Sequence, residues 1–332
     1  MPGPDHLEWG AEALWQALAP VMPGLSVEVL TSCGSTNAVL LDRIRGINPA
    51  RRHEWHPPGP MPAGPGRRQG DIQPSLLVAE HQTQGRGRQG KTWQSTAGAS
   101  LTVSLAVALS PTDWSGLSLA VGLALADALD PPRPDHALRL GLKWPNDLLL
   151  LDAPDPARPD AAPGRAAGRM GRKLGGILIE TVMAGPCRMA VIGVGLNVLP
   201  QATDALSWGY GCLQELDDTL SAPATLHRVM APLARALQGF EQAGFAQFQA
   251  GFSGRDVLLG QQVSTTLPGL PEGRADGVDA SGTLWLQADG QRLPVASGEV
   301  SVRLAPGAAR AGPAQADDGR PGNTTGAGYG AC

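Results

Sequence analysis

No run of apolar residues in this 332-residue chain reaches the roughly 18 needed to span a bilayer, so no helical membrane anchor is expected. The amino terminus, MPGPDHLEWG, has acids and prolines where a secretory leader needs a basic and then an apolar stretch, and the chain therefore reads as cytoplasmic. Cysteine is scarce. Cys33, Cys187, Cys212 and Cys332 are irregularly spaced, form no C-x-x-C pair and have no histidine at a spacing that suits zinc, so they read as free thiols in a reducing compartment. An excess of positive charge is also missing. A net charge of -4 and a pI near 5.9 argue against a general nucleic-acid binder, which makes any basic cluster a local site and leaves neither DNA nor membrane as an expected partner.

The chain is instead rich in glycine (44) and proline (30), and these are concentrated rather than spread. Residues 46–74 and 152–171 carry many prolines and arginines and few large apolar side chains. They cannot bury enough surface to offset ordering entropy, so both are expected to be mobile insertions, and residues 305–332 a disordered tail. His53 and His56 in the first insertion have no acid or cysteine placed with them and read as solvated loop residues.

Between the insertions the pattern is α/β. Leu101, Val103, Leu105 and Val107 alternate with small or polar neighbours over 100–109, which predicts a strand with one buried face. Apolar residues at helical spacing from Leu117 to Ala128 predict a helix over 115–129 that packs on that strand's sheet. A second helix is predicted over about 222–250, capped by Ser221, with Leu226, Met230, Leu233, Leu237 and Phe240 as its apolar stripe. After Gly254 short strands separated by Asp-Gly and Ser-Gly turns suggest a small barrel, so the length divides into about two domains.

The chemistry is concentrated in four segments. The run from Ala79 to Trp93, AEHQTQGRGRQGKTW, follows a short apolar strand. Gly85, Gly87 and Gly90 allow positive φ and close backbone approach, while Arg86, Arg88 and Lys91 supply cations for a carboxylate or phosphate. Lys143 to Asp147, KWPND, sets a cation and a polar pair on a proline turn between two apolar runs. RKLGGILIE from Arg172 and VIGVGLNV from Val191 are strands with internal glycines, which mark a bulge or a group pressed on the backbone. Each has a plain structural reading when taken singly: a solvated basic loop, a proline turn, a bulge, a weakened core strand. In this order they set cations, an acid and exposed backbone at the ends of neighbouring strands.

With Ser35-Thr36-Asn37 ahead of them, these motifs resemble the bacterial biotin protein ligases, closely over residues 30–200 and more weakly to about 304. The resemblance implies a mixed-sheet α/β (α+β) catalytic domain of the class II synthetase type over 30–253, preceded by an N-terminal segment 1–29. It also implies a small SH3-like β-barrel over 254–304. It leaves no room for the DNA-binding domain that some members carry in front, so no repressor function is expected. The implied reaction activates biotin with Mg²⁺-ATP to biotinyl-5'-adenylate and then biotinylates a lysine of a biotin carboxyl carrier protein of the acetyl-CoA carboxylase type. Whether the enzyme is a monomer or a homodimer is left open.

Carried over residue by residue, the reaction would fall to Lys173, Arg88 and Lys143. Biotin would meet Ser35, Thr36, Asn37, Gln82, Gly85, Arg86, Arg88, Lys173, Gly175 and Gly195. ATP would meet Arg88, Lys91, Trp93, Lys143, Asn146, Asp147 and Asn197, with Asp147 orienting the magnesium. Lys91 stands where the family usually has arginine, and as a point charge it cannot make the fork contact. A lipoate-type ligase and a non-catalytic biotin or nucleotide sensor are the alternatives. The first is disfavoured by KWPND, the second by the cation at Lys173.

Overall fold

A computed structural model of the protein describes residues 7–46, 72–110, 113–134, 137–153, 170–201, 209–270, 272–295 and 301–305. Most of the two insertions and the tail beyond residue 305 lie outside the described residues. The larger sheet is formed by β1 (Ser26–Cys33), β2 (Ser75–Gln82), β3 (Ser100–Ala108), β4 (Leu140–Lys143), β5 (Asp147–Leu150), β6 (Arg172–Ala184) and β7 (Cys187–Asn197). Its strand order is β1-β2-β3-β7-β6-β5-β4, with β1 and β2 parallel and the other neighbours antiparallel.

One face of this sheet carries α1 (Ala11–Leu18), α3 (Leu117–Leu129) and α4 (Ala222–Ala243), which share the main apolar core with Leu101, Val103, Leu105 and Val107 of β3. The opposite face is covered by α2 (Thr36–Ile44) through a smaller cluster of Leu40, Leu41, Ile44, Leu77, Ala106, Met189 and Val191. The strand over 100–109, expected to have one buried face, is therefore buried on both. Its small and polar face lies on the α2 side, where Ser100, Thr102 and Ser104 are all buried.

Ser221 Oγ accepts from Ala224 N at 3.2 Å and caps α4 as expected, but the helix ends at Gly244 rather than 250. Gly244 has φ 62, a left-handed conformation that breaks the helical path, and α5 (Gln249–Arg255) then runs as a separate helix. The N-terminal segment drawn over 1–29 is not a separate unit in its described part. Trp9, Leu14, Leu18, Met22 and Leu25 enter the main core, Trp9 Nε1 donates to the buried Glu80, and β1 begins at Ser26.

β8 (Gln262–Thr265), β9 (Glu272–Val278), β10 (Leu284–Ala288), β11 (Gln291–Val295) and β12 (Val302–Leu304) form a five-stranded antiparallel sheet of order β11-β10-β9-β8-β12, in agreement with the small β domain expected after Gly254. Among the contacts that fasten it to the rest of the molecule, two are close-packed. The fully buried Trp144 donates its indole N–H to Gly282 O at 3.1 Å. Gly282 in turn lies so close to Gly116 that a Cβ on it would come within 2.6 Å of the Gly116 Cα.

Arg255 at the end of α5 ties the helical layer to the start of β4. Its guanidinium reaches Asp127 Oδ1 at 2.9 Å, Asp130 Oδ2 at 3.2 Å and Leu140 O at 2.9 Å, and also donates to Asp130 O. Asp130 Oδ2 accepts from Arg139 N and Leu140 N as well, so one buried carboxylate sets where β4 begins. Arg255→Ala would remove the Arg255 guanidinium from the buried Asp130 carboxylate, a loss of roughly 3–5 kcal/mol. Urea unfolding should show a midpoint far below that of the parent, and an unchanged midpoint would refute the clamp.

Candidate active site

The hollow in the α2 face arises where side chains run out along β7. Met189 and Val191 fill the space beneath α2, and the next residues on that face are Gly193 and Gly195, followed by Asn197. Gly195 pairs with Gly176 of β6 and Gly193 with Ser104 of β3, so a patch of sheet is nearly bare. The result is a cavity of about 490 Å³ under the glycine-arginine loop. The chain's own side chains exploit the bare patch. A Cβ on Gly193 would meet Asn37 Oδ1 at 2.4 Å, and one on Gly195 would meet the Trp93 ring at 2.5 Å.

The wall on the β2 and β3 side is polar and uncharged. Gln82 Oε1 accepts from Thr36 N at 2.7 Å and from Thr36 Oγ1 at 3.1 Å. Ser104 Oγ lies 2.6 Å from both Thr36 Oγ1 and Asn37 Oδ1, while Asn37 Nδ2 donates to Leu178 O and to Glu180 Oε2 at 2.9 Å. With these groups mutually satisfied, the Ser35 hydroxyl and the Gln82 amide N–H groups remain without a side-chain partner among the described residues, and both border the cavity. This wall presents donors and a hydroxyl to a neutral polar ring.

The opposite wall is cationic. β4 and β5 form a hairpin in which Lys143 stands directly across from Asp147, with a cis Trp144–Pro145 bond in the turn. Asn146 closes that turn onto β6 by accepting from Ile177 N at 2.9 Å through its backbone carbonyl and donating its side-chain amide to Ile177 O at 2.8 Å. The register between β5 and β6 slips between Leu148 and Leu149, so one extra residue of β6 is accommodated and Lys173 comes round to the face of Gly176. Lys173 Nζ then lies 2.6 Å from Asp147 Oδ1, and Lys143 Nζ 3.6 Å from Asp147 Oδ2.

Burial opposes ionisation of Asp147, but the adjacent Lys173 and Lys143 outweigh it and hold the carboxyl below its ordinary range. Burial lowers the basicity of Lys143 and of Arg88, with Asp147 acting against it in both cases. The Lys173 backbone is fixed by Gly209 O and Gly211 N, and Asn197 Nδ2 braces the same region by donating to Lys173 O and Gly211 O, each at 3.1 Å. Tyr210, beside Lys173, is pushed up to about 12 chiefly by burial, and its hydroxyl donates to Leu199 O at 2.8 Å.

The loop over the cavity is a narrow hairpin. Trp93 N donates to Gly85 O, Gly87 N donates to Lys91 O, and Arg86 bridges to Thr92. Of the three glycines expected to use positive φ, only Gly90 (φ 70) does so, alongside Gln89 (φ 56). Gly85 is needed for a different reason, since a Cβ there would strike Trp93 O at 2.3 Å. Ser301 Oγ of the smaller sheet donates to Gln89 Oε1 at 2.8 Å, which joins the loop tip to the second domain. One cavity thus sets a neutral donor wall against a cationic wall, an arrangement for a ligand with an uncharged polar head and an anionic tail beside a polyanion.

Comparison with known proteins agrees with this arrangement. Residues 69–197 match the Biotin/lipoate A/B protein ligase family, and residues 258–303 match the Biotin protein ligase C terminal domain. The chain is 33% identical over 287 residues to the bifunctional ligase/repressor BirA of Salmonella typhimurium, covering 84% of this chain and 75% of that protein. It is also 33% identical over 290 residues to the biotin–[acetyl-CoA-carboxylase] ligase of Mycobacterium tuberculosis, covering 82% and 88% respectively. The chain belongs to the biotin protein ligase family. The fold matches the Aquifex aeolicus biotin protein ligase solved with biotin and ATP, with a TM-score of 0.60 at 22% identity over 84% of this chain and 99% of that one.

Of the residues that the family motifs nominate, Ser35, Thr36, Asn37, Gln82, Arg86, Arg88, Lys91, Trp93, Lys143, Asn146, Asp147, Lys173, Gly195 and Asn197 all line the cavity. Gly85 and Gly175 do not. Gly85 makes room for Trp93 O, and Gly175 makes room for Gly195 O and the Leu196 side chain across the β6–β7 pairing, so Gly176 is the β6 glycine that faces the cavity. Asn197, expected to touch the adenylate, lines the cavity and donates its amide N–H groups to the Lys173 and Gly211 backbone carbonyls. The assignment of Asp147 as a magnesium ligand also changes. Among the described residues it is the only acid lining the cavity, it is held between two lysines, and no group of three or more His, Cys, Asp or Glu side chains is gathered to hold a metal, so this donor set does not build a resident metal site.

Residues that the motifs did not nominate include Ser104, Glu180, Gly176, Gly193, Gln201, Tyr210, Ser301 and Arg303. Asp147→Asn should leave two lysines facing each other, destabilising the fold by on the order of 1–2 kcal/mol, less than a fully buried pair because this one is partly hydrated. Asp147 stabilises when ionised, and its folded pKa is depressed. Its contribution is therefore complete above the unfolded carboxyl value and is lost as pH falls through the lower folded one. Denaturation midpoints of parent and variant should differ near neutrality and converge below about pH 3.9. A gap that persists in acid would exclude this ion-pair role.

Proposed function

We infer that this chain is a biotin protein ligase that joins biotin to ATP as biotinyl-5'-adenylate and then transfers the biotinyl group to a lysine of a carrier protein. The observation that carries the reading is the juxtaposition in one cavity of the Ser35–Gln82 donor wall and the Lys143–Asp147–Lys173 cationic wall. Biotin has a neutral ureido ring at one end and a carboxylate at the other, and these two walls complement those two ends.

In the first step the carboxylate must approach the α-phosphate of ATP against charge repulsion. Lys173 is assigned to the carboxylate as it attacks, and Arg86, Arg88, Lys91 and Lys143 to the phosphates. Fixed cations in a partly enclosed cavity act more strongly there than in water and need no reorganisation during the reaction. Asp147 keeps Lys173 and Lys143 oriented without neutralising both. Magnesium would accompany ATP as part of that substrate and would offset part of its phosphate charge. Trp93, laid on Gly195, closes one side of the cavity to solvent.

In the second step the carrier lysine attacks the carbonyl carbon of the mixed anhydride and AMP leaves with the electron pair of the broken C–O bond. The proposed acceptor is a biotin carboxyl carrier protein of the acetyl-CoA carboxylase type, supported by the relative named for that acceptor, with the cytoplasm as the site of reaction. Among the described residues no helix is long and apolar enough to cross a membrane. No observation favours lipoate as the substrate.

The reading is tested by incubating the protein with biotin, Mg²⁺-ATP and a carrier domain. Pyrophosphate release and a carrier mass increased by one biotinyl group are expected, and lipoate in place of biotin should give neither. An unmodified carrier would overturn the reading. Lys173→Ala should reduce pyrophosphate release by about 10²–10³-fold, or about 3–4 kcal/mol, with a much smaller effect on ATP binding. Parent-like release from this variant would remove Lys173 from the reacting carboxylate.

A further inference from the structure

Of the 26 basic residues in this chain only three are lysines, Lys91, Lys143 and Lys173, and all three line the same cavity. Every other cationic side chain is an arginine, whose guanidinium stays protonated and offers no free amine. An enzyme that makes an amine-acylating intermediate therefore has three side-chain amines of its own, each within its own site. They are not equivalent. Lys143 is buried, and both it and Lys173 are engaged with Asp147 from opposite sides.

Lys91 differs in every respect. Its backbone is held in the loop by Gly87 N donating to Lys91 O at 2.7 Å and by Lys91 N donating to Arg88 O at 3.2 Å. Its side chain is exposed and makes no hydrogen bond or ion pair among the described residues. It nevertheless stands close enough to the cationic wall to act electrostatically on both Lys143 and Asp147. A pinned backbone and an exposed side chain set a primary amine among the residues that line the cavity between the two walls.

We propose that Lys91 is a self-acylation site, which accepts the biotinyl group from biotinyl-adenylate when no carrier lysine is present. The proposal rests on the biotin ligase reading. The deprotonated Lys91 Nζ attacks the carbonyl carbon of the mixed anhydride and an amide C–N bond forms. The C–O bond to phosphate breaks with its electron pair on AMP, and the amine proton passes to solvent. No oxidant or further reactant is needed. The product has lost the Lys91 charge beside the phosphates, so modification weakens the next round of adenylation and limits the supply of a reactive acyl group that has no acceptor.

The scarcity of lysine makes the test direct. A lysine-specific endoproteinase cuts the parent after residues 91, 143 and 173, giving four fragments, and acylation of Lys91 abolishes the first cut. The full-length protein is incubated without carrier in two arms, one with biotin and Mg²⁺-ATP and one with synthetic biotinyl-5'-adenylate, then digested and mapped by mass spectrometry. The expected result in both arms is a fused fragment 1–143 bearing one biotinyl group. Lys91→Arg should yield fragment 1–143 without label in both arms.

Label on a fused fragment 92–173 or 144–332, or on the N-terminal amine of an uncut 1–91 fragment, would overturn the proposal. So would the absence of label from the arm given synthetic adenylate. Label at Lys91 in that arm alone supports the proposal while showing that the chain does not form the adenylate, which separates failure of the two readings.

Discussion

The site depends on one carboxylate held between two ammonium groups. Lys143 and Lys173 come from different strands and would repel each other in a cavity that shields them poorly from one another. Asp147 stands opposite Lys143 in the β4–β5 hairpin and 2.6 Å from Lys173 across the β5–β6 bulge, so a single anion fixes two cations. It does not cancel them, and a net positive wall remains for an anionic ligand. The hairpin is in turn fixed at its base, where Asp130 and Arg255 determine where β4 begins, and at its turn, where Trp144 is anchored to Gly282 of the smaller sheet. The ion pair thus transmits its geometry from the helical layer and the C-terminal sheet alike.

The second constraint is the absence of side chains. β7 carries Met189 and Val191 where it must support α2, then Gly193 and Gly195 where it must not fill the cavity. The antiparallel register brings Gly176 beside Gly195 and Ser104 beside Gly193, so the bare patch extends across three strands. Asn37 and Trp93 press onto this patch more closely than any Cβ allows. The glycines therefore serve first to seat the cavity's own walls.

Much of this was legible in the chain, for identifiable reasons. Motifs in which chemistry is local, such as the glycine-arginine loop, KWPND and the two glycine-bearing strands, placed fourteen of sixteen nominated residues on the cavity. Gly85 and Gly175 fell outside because a glycine in a strand or loop signals close approach without saying what approaches, and here the approaching groups are Trp93 O and Gly195 O. Ser104 was hidden in an alternation that reads as a solvent face, since the cover supplied by α2 is a tertiary fact. Tyr210 and Ser301 had no local signal, because only the bridge to Lys173 and the docking of the smaller sheet bring them to the cavity. The long helix was overextended past Gly244 because apolar spacing continues through Phe245 and Phe248 while the backbone does not.

The overall charge and the local charge of this protein have opposite signs, and the contrast limits how the site can work. A chain of net charge -4 does not draw a triphosphate from a distance. At physiological ionic strength fields from exposed charges fade over about 8 Å, so the cations act only on a ligand already at the cavity mouth. Selection must then come from fit between the two walls rather than from steering. A ligand that is anionic throughout meets an uncharged wall with no compensating cation, and a neutral one gives the cationic wall of Lys143 and Lys173 no anion of its own to bind. Only a molecule that divides neutral and anionic ends across the sheet, from β2 and β3 to β5 and β6, satisfies both walls at once.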